Sequence, residues 1–169
     1  PANIYNLDHS KYYTWGISWM PGPDEVIVAS ELTIAQINNW AQEDNDKLYI
    51  HLMDEAAPGI TTYIDNQGGG DSIVFLPGLK VLLDVYTDLD DYPGPAEDYK
   101  YIFTHQNLIF LTAFASDGNF GIGFDPDCHY NNQGVKLTIT TKSNVIPEPA
   151  SLMLMIGGLA GFGLRRLRV

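Results

Sequence analysis

The residues best suited to chemistry in this sequence form the segment Asp125-Pro126-Asp127-Cys128-His129-Tyr130. Two carboxylates two positions apart in an extended or turn segment can aim oxygens at one hard cation, and Ca²⁺ takes about six to eight oxygen ligands. Asp8 is the expected partner, because we expect a structural calcium to join a loop near the last strand to one near the first. The alternative is a hairpin turn in which Asp125 caps the backbone and Pro126 fixes the bend.

A second oxygen-rich stretch lies between residues 38 and 46. We predict as further calcium ligands in this stretch Asn39, Asp44 and Asp46. The acidic loops 65–71 and 88–98 do not fit the spacing of an EF-hand loop, because Gly69 or Tyr92 occupies the fifth position. The alternative for all of these loops is a solvated surface that keeps the protein soluble.

Catalytic signatures are weak in this chain. No Gly-x-Ser-x-Gly motif occurs, and the segment 68–72 lacks the lysine and the following helix of a phosphate loop. Cys128 and His129 are adjacent on an extended segment, so their side chains point to opposite faces and the imidazole cannot activate the thiol. A lone cysteine is more often a small buried hydrophobe. We therefore predict that the protein is not an enzyme.

Aromatic residues offer a different chemistry, the stacking of a ring on the apolar face of a sugar. The chain has ten Tyr and three Trp, and Trp40 lies in the polar stretch 38–46. We predict Trp40 as a carbohydrate-binding residue on that basis. Trp15 and Trp19 share one face of a strand and are predicted to belong to the core.

The elements that must position these residues are β-strands, recognised by alternating or continuous apolar runs. The predicted strands include residues 12–19, 48–53, 60–64, 79–87, 119–124 and 135–141, and the runs 100–104 and 108–114 are apolar and aromatic. The run 25–37 predicts one long strand or two short ones, with a helix over 29–40 as the alternative. About eight or nine short strands with almost no helical period predict an all-β fold, an antiparallel β-sandwich of the jelly-roll type.

The charge balance excludes one class of partner. The chain carries a net charge of −12, and residues 1–142 alone contain six lysines against twenty acidic residues, a balance of −14. Phosphate binding requires a basic surface, so we predict no nucleic-acid partner. Cys128 is the only cysteine, so stability must come from the core or from a metal. We also expect the numbering to begin at a processed N-terminus, because Pro1 follows no leader segment.

The C-terminal residues have the order of a sorting tail. Residues 150–164 contain no charge and would form a helix of roughly 22 Å, short of the ~30 Å hydrocarbon core of a bilayer. The prolines at 147 and 149 delay any helix until after them. A basic cluster beyond an apolar run stays on the cytoplasmic side. We predict an extracytoplasmic domain over 1–142 and a membrane-associated tail with a hydrophobic helix over 143–169.

This tail resembles a PEP-CTERM sorting signal, found on exported proteins of Gram-negative bacteria that make exopolysaccharide. The residues that carry the resemblance are Pro147, Glu148, Pro149, Arg165, Arg166 and Arg168. The resemblance implies that an exosortase, a membrane-embedded protease and transpeptidase, is a partner of the chain. It also implies transient anchoring in the inner membrane before delivery to the cell surface or the extracellular matrix.

Together these features predict a non-enzymatic structural or adhesive protein of the bacterial surface or exopolysaccharide matrix, stabilised by Ca²⁺. One alternative is a carbohydrate-binding module whose partner is an exopolysaccharide or a cell-surface glycan. The other is homo-assembly, in which the chain is a subunit of an extracellular filament and pairs through its tail or an uncovered strand edge.

Overall fold

A computed structural model of the chain describes residues 4–39, 46–66, 69–88 and 95–144. Its strands are β1 (Asn6–Leu7), β2 (Lys11–Ile17), β3 (Glu25–Asn39), β4 (Lys47–Met53), β5 (Gly59–Ile64), β6 (Lys80–Thr87), β7 (Glu97–Ile102), β8 (Phe120–Pro126), β9 (Tyr130–Asn131) and β10 (Val135–Ser143). One α-helix, α1 (His105–Phe114), and short 3-10 helices at Ser72–Phe75 and Ala115–Asp117 complete the described elements.

The strands form two antiparallel sheets packed as a sandwich, which confirms that part of the sequence prediction. The first sheet has the order β5-β2-β8-β4-β6, and the second has β1-β9-β3-β10 with β7 also paired to β3. The jelly-roll topology is not confirmed. The predicted boundary between residues 142 and 143 stays a prediction, and the predicted hydrophobic helix lies outside the described residues.

Alternating apolar residues from both sheets fill the core. In β4 the side chains of Leu48, Ile50 and Leu52 point inward and are fully buried, as the sequence predicts. Tyr86 of the first sheet meets the ring of Tyr130 from the second at a centroid distance of 5.8 Å. Aromatic contacts of this kind stabilise the packing of the two sheets against each other.

The run after Glu25 is a single strand of 15 residues, which selects the long-strand prediction over the helical one. Pairing with other strands favours the extended conformation over a helix here. β3 forms backbone hydrogen bonds with β10, with β7 and, at its C-terminal end, with β9. A register shift between Ile34 and Ile37 bends the strand, and Gln36 adopts φ +48° there. The carboxylate of Asp98 accepts from the backbone and side-chain N–H groups of Gln36 and stabilises the bulge.

The apolar and aromatic run 108–114 belongs to a helix, because residues 105–114 form α1. The sequence prediction of an all-β fold with almost no helical period missed this helix. Thr104 caps its first turn by accepting a hydrogen bond from the backbone N–H of Asn107. The helix buries Leu111 and Phe114 and leaves Ile109 57% exposed. Among the described residues, no helix is both long and apolar enough to cross a membrane.

Candidate functional site

The site is built on the outer face of β8. Phe120, Ile122 and Phe124 point into the core, so Gly121, Gly123 and Asp125 share the opposite face. That face is covered rather than solvated, because a Cβ on Gly121 would lie 2.5 Å from the Ala56 side chain, and one on Gly123 would lie 2.6 Å from that of Ile73. The glycines therefore let the connections that hold Ala56, between β4 and β5, and Ile73, between β5 and β6, pack directly on the sheet.

Asp125 lies at the end of this covered face. Its register partner in β4 is Tyr49, and its side chain is 0% exposed. The backbone N–H of Ser72 donates a hydrogen bond to its Oδ2 atom. Its Oδ1 atom is buried and has no hydrogen-bond partner in the described part of the chain. A buried oxygen of this kind is costly unless a cation or a proton meets it.

Three other carboxylates converge near Asp125, and with it they form what we call the acidic cluster: Asp65, Asp71, Asp125 and Asp127. Asp65 Oδ1 accepts from the Ser72 hydroxyl at 2.9 Å, and Asp127 Oδ1 accepts from the Gly70 N–H at 2.7 Å. Asp71 Oδ2 lies 3.1 Å from Nε2 of the buried His51. The cluster therefore joins Asp65 and the residues 70–72 to the end of β8.

The electrostatics of the acidic cluster are unfavourable for so many negative charges. Burial raises the pKa of Asp125 to about 7, and the neighbouring carboxylates Asp65, Asp71 and Asp127 add to the increase. Burial also raises the pKa of Asp127, although the Gly70 N–H and Lys47 act in the opposite direction. A cation bound among these oxygens would relieve the repulsion, as would a proton on Asp125.

Asp8, predicted to share a metal with Asp125 and Asp127, has different neighbours. Its Oδ1 accepts from the backbone N–H and the hydroxyl of Ser10, and its Oδ2 pairs with Lys11 Nζ at 3.1 Å. His129 Nε2 lies 3.3 Å from the same Oδ1. Burial opposes a low pKa for Asp8, but the hydrogen bonds from Ser10 and the Lys11 charge together hold that pKa well below its usual range.

The second predicted calcium stretch is partly described. Asn39 Nδ2 donates to Asp46 Oδ2 at 3.3 Å, so the structure brings these two predicted ligands together. The Asn39 N–H donates to Asp88 Oδ2 at 3.0 Å, which adds a carboxylate that the prediction did not group with them. The predicted ligand Asp44 and the predicted sugar-binding residue Trp40 lie outside the described residues. A metal at this position stays a prediction.

Sequence reasoning found Asp125 and Asp127 but missed their neighbours His51, Asp65 and Asp71. The loop 65–71 was assessed only as an isolated calcium loop, whereas in the structure it contributes to a cluster with a distant strand. The signal available in the sequence was the alternation of glycines with large apolar residues in 120–124. That alternation indicates that a chain segment covers the glycine face.

The Cys128 thiol is fully buried and lies 3.6 Å from the His129 carbonyl oxygen, to which it donates. This environment is that of a packed small hydrophobe.

Comparison with protein-family models gives a match to the PEP-CTERM protein-sorting motif over residues 145–168. Comparison with curated proteins and with solved structures finds no significant match. The predicted sorting residues Pro147, Glu148, Pro149, Arg165, Arg166 and Arg168 fall in the matched range and lie outside the described residues. The chain carries a PEP-CTERM protein-sorting motif, which implies sorting by an exosortase and export to the cell surface of a Gram-negative bacterium.

Proposed function

We propose that this protein is a non-enzymatic structural or adhesive component of the bacterial surface or exopolysaccharide matrix, and that Ca²⁺ at the acidic cluster stabilises its exported domain. The observation that carries the proposal is the fully buried Asp125, whose Oδ1 lacks a hydrogen-bond partner in the described residues and which three nearby carboxylates repel electrostatically.

The chemistry of the ligands favours Ca²⁺ over softer metals. All four members of the acidic cluster offer carboxylate oxygens, the ligands that hard cations prefer. Asp71 Oδ1 is buried without a hydrogen-bond partner in the described residues, which gives a second oxygen available to an ion. No three of these carboxylates have oxygens that all lie within 4.8 Å of one another, so ion binding would draw Asp65 and Asp71 closer to Asp125 and Asp127.

The location of the domain also supports a weak calcium site. Extracellular modules bind Ca²⁺ with dissociation constants of about 10⁻⁴–10⁻³ M, a range that fits oxygen clusters of modest preorganisation. Binding would fasten the covering segment between β5 and β6 onto the sheet. The non-enzymatic part of the proposal is supported by the burial of Cys128, which leaves its thiol inaccessible to a substrate.

A processing experiment tests the export part of the proposal. In a Gram-negative host with an exosortase, the wild-type chain should be shortened at its C-terminus and recovered from the surface or matrix fraction. Replacing Pro147, Glu148 and Pro149 by Ala should leave the chain at full mass in the membrane fraction. Alanine replacement of residues 142–144 is the matched control. A processed surface form of the first variant would contradict the proposal.

A carbohydrate-binding role is the second candidate, and one surface favours it. A cleft of about 190 Å³ next to the acidic cluster is lined by Tyr12, Ile64, Asp65, Asn66, Ser72 and Phe75. Tyr12 stacks on Tyr63 at 4.9 Å, and Phe75 is 68% exposed. An exposed ring beside polar oxygens is the arrangement that stacks on a sugar and hydrogen-bonds its hydroxyls.

If the cleft binds polysaccharide, Phe75→Ala should weaken retention on the host exopolysaccharide by about tenfold. Leu79→Ala removes a side chain of similar exposure, 69%, outside the cleft and should retain wild-type binding. Affinity electrophoresis measures both. If the polysaccharide slows the two variants equally, the result would count against this cleft.

Self-assembly into a filament stays a prediction. The strands β5 and β6 lie at the two ends of the first sheet, and their edges are the ones available for pairing.

A further inference from the structure

A second cluster of different chemistry lies near the N-terminus of the described chain and contains Asp8, His9 and His129. Each offers one ligand atom, and these atoms all lie within 4.8 Å of one another, the only such group among the described residues. Asp8 Oδ1 is 3.3 Å from His129 Nε2. The rings of His9 and His129 meet edge to face at a centroid distance of 4.4 Å.

Backbone pairing explains why these side chains meet. β1 and β9 run antiparallel with Leu7 opposite Tyr130, so Asp8 and His129 occupy the next opposite positions beyond the ladder. A turn closed by the bond from Lys11 N–H to the Asp8 carbonyl presents His9 from the same side. The site is therefore built from two segments that are distant in sequence, since 121 positions separate Asp8 from His129.

We propose that Asp8, His9 and His129 bind a divalent transition-metal ion of the Zn²⁺, Ni²⁺ or Cu²⁺ class. Zinc binds imidazole nitrogen and carboxylate oxygen at about 2.0–2.2 Å in a tetrahedron, which places neighbouring ligand atoms roughly 3.4 Å apart. The 3.3 Å separation of Asp8 Oδ1 and His129 Nε2 matches one edge of that tetrahedron. The ligand atom of His9 lies within 4.8 Å of the other two, so its side chain must move closer to complete the other edges.

The ligand set separates this site from the acidic cluster. Two imidazoles and one carboxylate suit borderline metals, whereas Ca²⁺ avoids nitrogen ligands. Lys11 Nζ and the Ser10 hydroxyl hold the Asp8 carboxylate in place, as supporting residues around metal ligands commonly do. Asp8 and His129 are about three-quarters buried, with side chains 26% and 22% exposed. Three protein ligands leave a fourth position for water or an external group.

Isothermal titration calorimetry with Zn²⁺ tests the proposal, using the metal-stripped full chain in detergent. The wild-type protein should bind one Zn²⁺ per chain, with binding unaffected by excess Ca²⁺. His9→Ala and His129→Ala should each weaken binding by at least about 100-fold, since even outer supporting residues contribute 10- to 100-fold. His105→Ala changes an exposed histidine at the start of α1 and should bind as the wild type does.

Cobalt substitution gives a readout that needs no variant. Co²⁺ bound to the wild-type chain should show the intense visible d–d bands of tetrahedral coordination. The weak spectrum of hydrated octahedral Co²⁺ would overturn the proposal. So would equal Zn²⁺ affinity in the wild type, His129→Ala and His105→Ala, or displacement of Zn²⁺ by Ca²⁺. Far-ultraviolet circular dichroism confirms that each variant is folded.

Discussion

Excess EGTA is expected to lower the melting temperature of the full chain by roughly 5–10 °C relative to the protein saturated with Ca²⁺. An ion present at a hundred times its dissociation constant stabilises the folded state by about 2.7 kcal/mol, and a protein of this size shifts by roughly 2–4 °C per kcal/mol. Removing the ion also leaves the buried Asp125 beside three other carboxylates with no cation to offset their repulsion. Differential scanning calorimetry measures the change directly.

Asp125→Asn is the variant that assigns this effect to the acidic cluster. It should abolish the response to EGTA, because the amide preserves the acceptor for the Ser72 N–H but removes one charge from the ion site. Without Ca²⁺ it should melt no lower than the wild type, since one source of like-charge repulsion is gone. Asp24→Asn changes an exposed aspartate and should respond to EGTA as the wild type does. If the wild-type protein melts at the same temperature in EGTA and in saturating Ca²⁺, the calcium hypothesis is wrong.

Phe124→Ala should lower the free energy of unfolding by about 3–5 kcal/mol, the cost of truncating a large buried ring. Phe124 is 0% exposed at the centre of the first sheet, opposite Tyr13 of β2 and Ile50 of β4. Its removal leaves a cavity beneath the strand that carries Asp125. We therefore also expect weaker Ca²⁺ binding in this variant.

Urea denaturation of Phe124→Ala measures the loss, and Phe75→Ala is the matched control. Phe75 is 68% exposed, so its truncation removes few contacts and should change stability by less than about 1 kcal/mol. Similar losses in the two variants would show that β8 does not lie at the centre of the packed sheet. A change in the denaturant slope would instead report a change in the surface exposed on unfolding.

The strands with regular alternation were predictable from the sequence, because burial of one face imposes a period of two on the residues. β2, β4, β8 and β10 show that period in their sequences, and the sandwich they build was predictable with them. The outer face of β8 is buried as well, so there the period reflects glycines that alternate with large apolar residues. α1 was not predictable in this way, since its residues are apolar on nearly every side and show no helical period. The one local signal was Thr104, whose side chain caps the helix.

The site was predictable only in part. Asp125 and Asp127 stand out because they are close in sequence, but Asp65 and Asp71 join them from more than fifty residues away. The spacing of these aspartates in the sequence does not predict that they lie close together. Their proximity depends on the glycine face of β8 and on the residues packed over it. The same limit applies to His9 and Asp8, which meet His129 only through the pairing of β1 with β9.

The central claim is that Asp125 and its neighbours bind Ca²⁺ in the exported domain, and a crystal structure of the protein grown with calcium tests it most directly. We expect an ion at about 2.3–2.6 Å from Asp125 Oδ1 and from carboxylate oxygens of Asp71 and Asp127. Density for calcium only elsewhere, such as at Asn39 and Asp46, or no ion beside Asp125 at saturating calcium, would contradict the account.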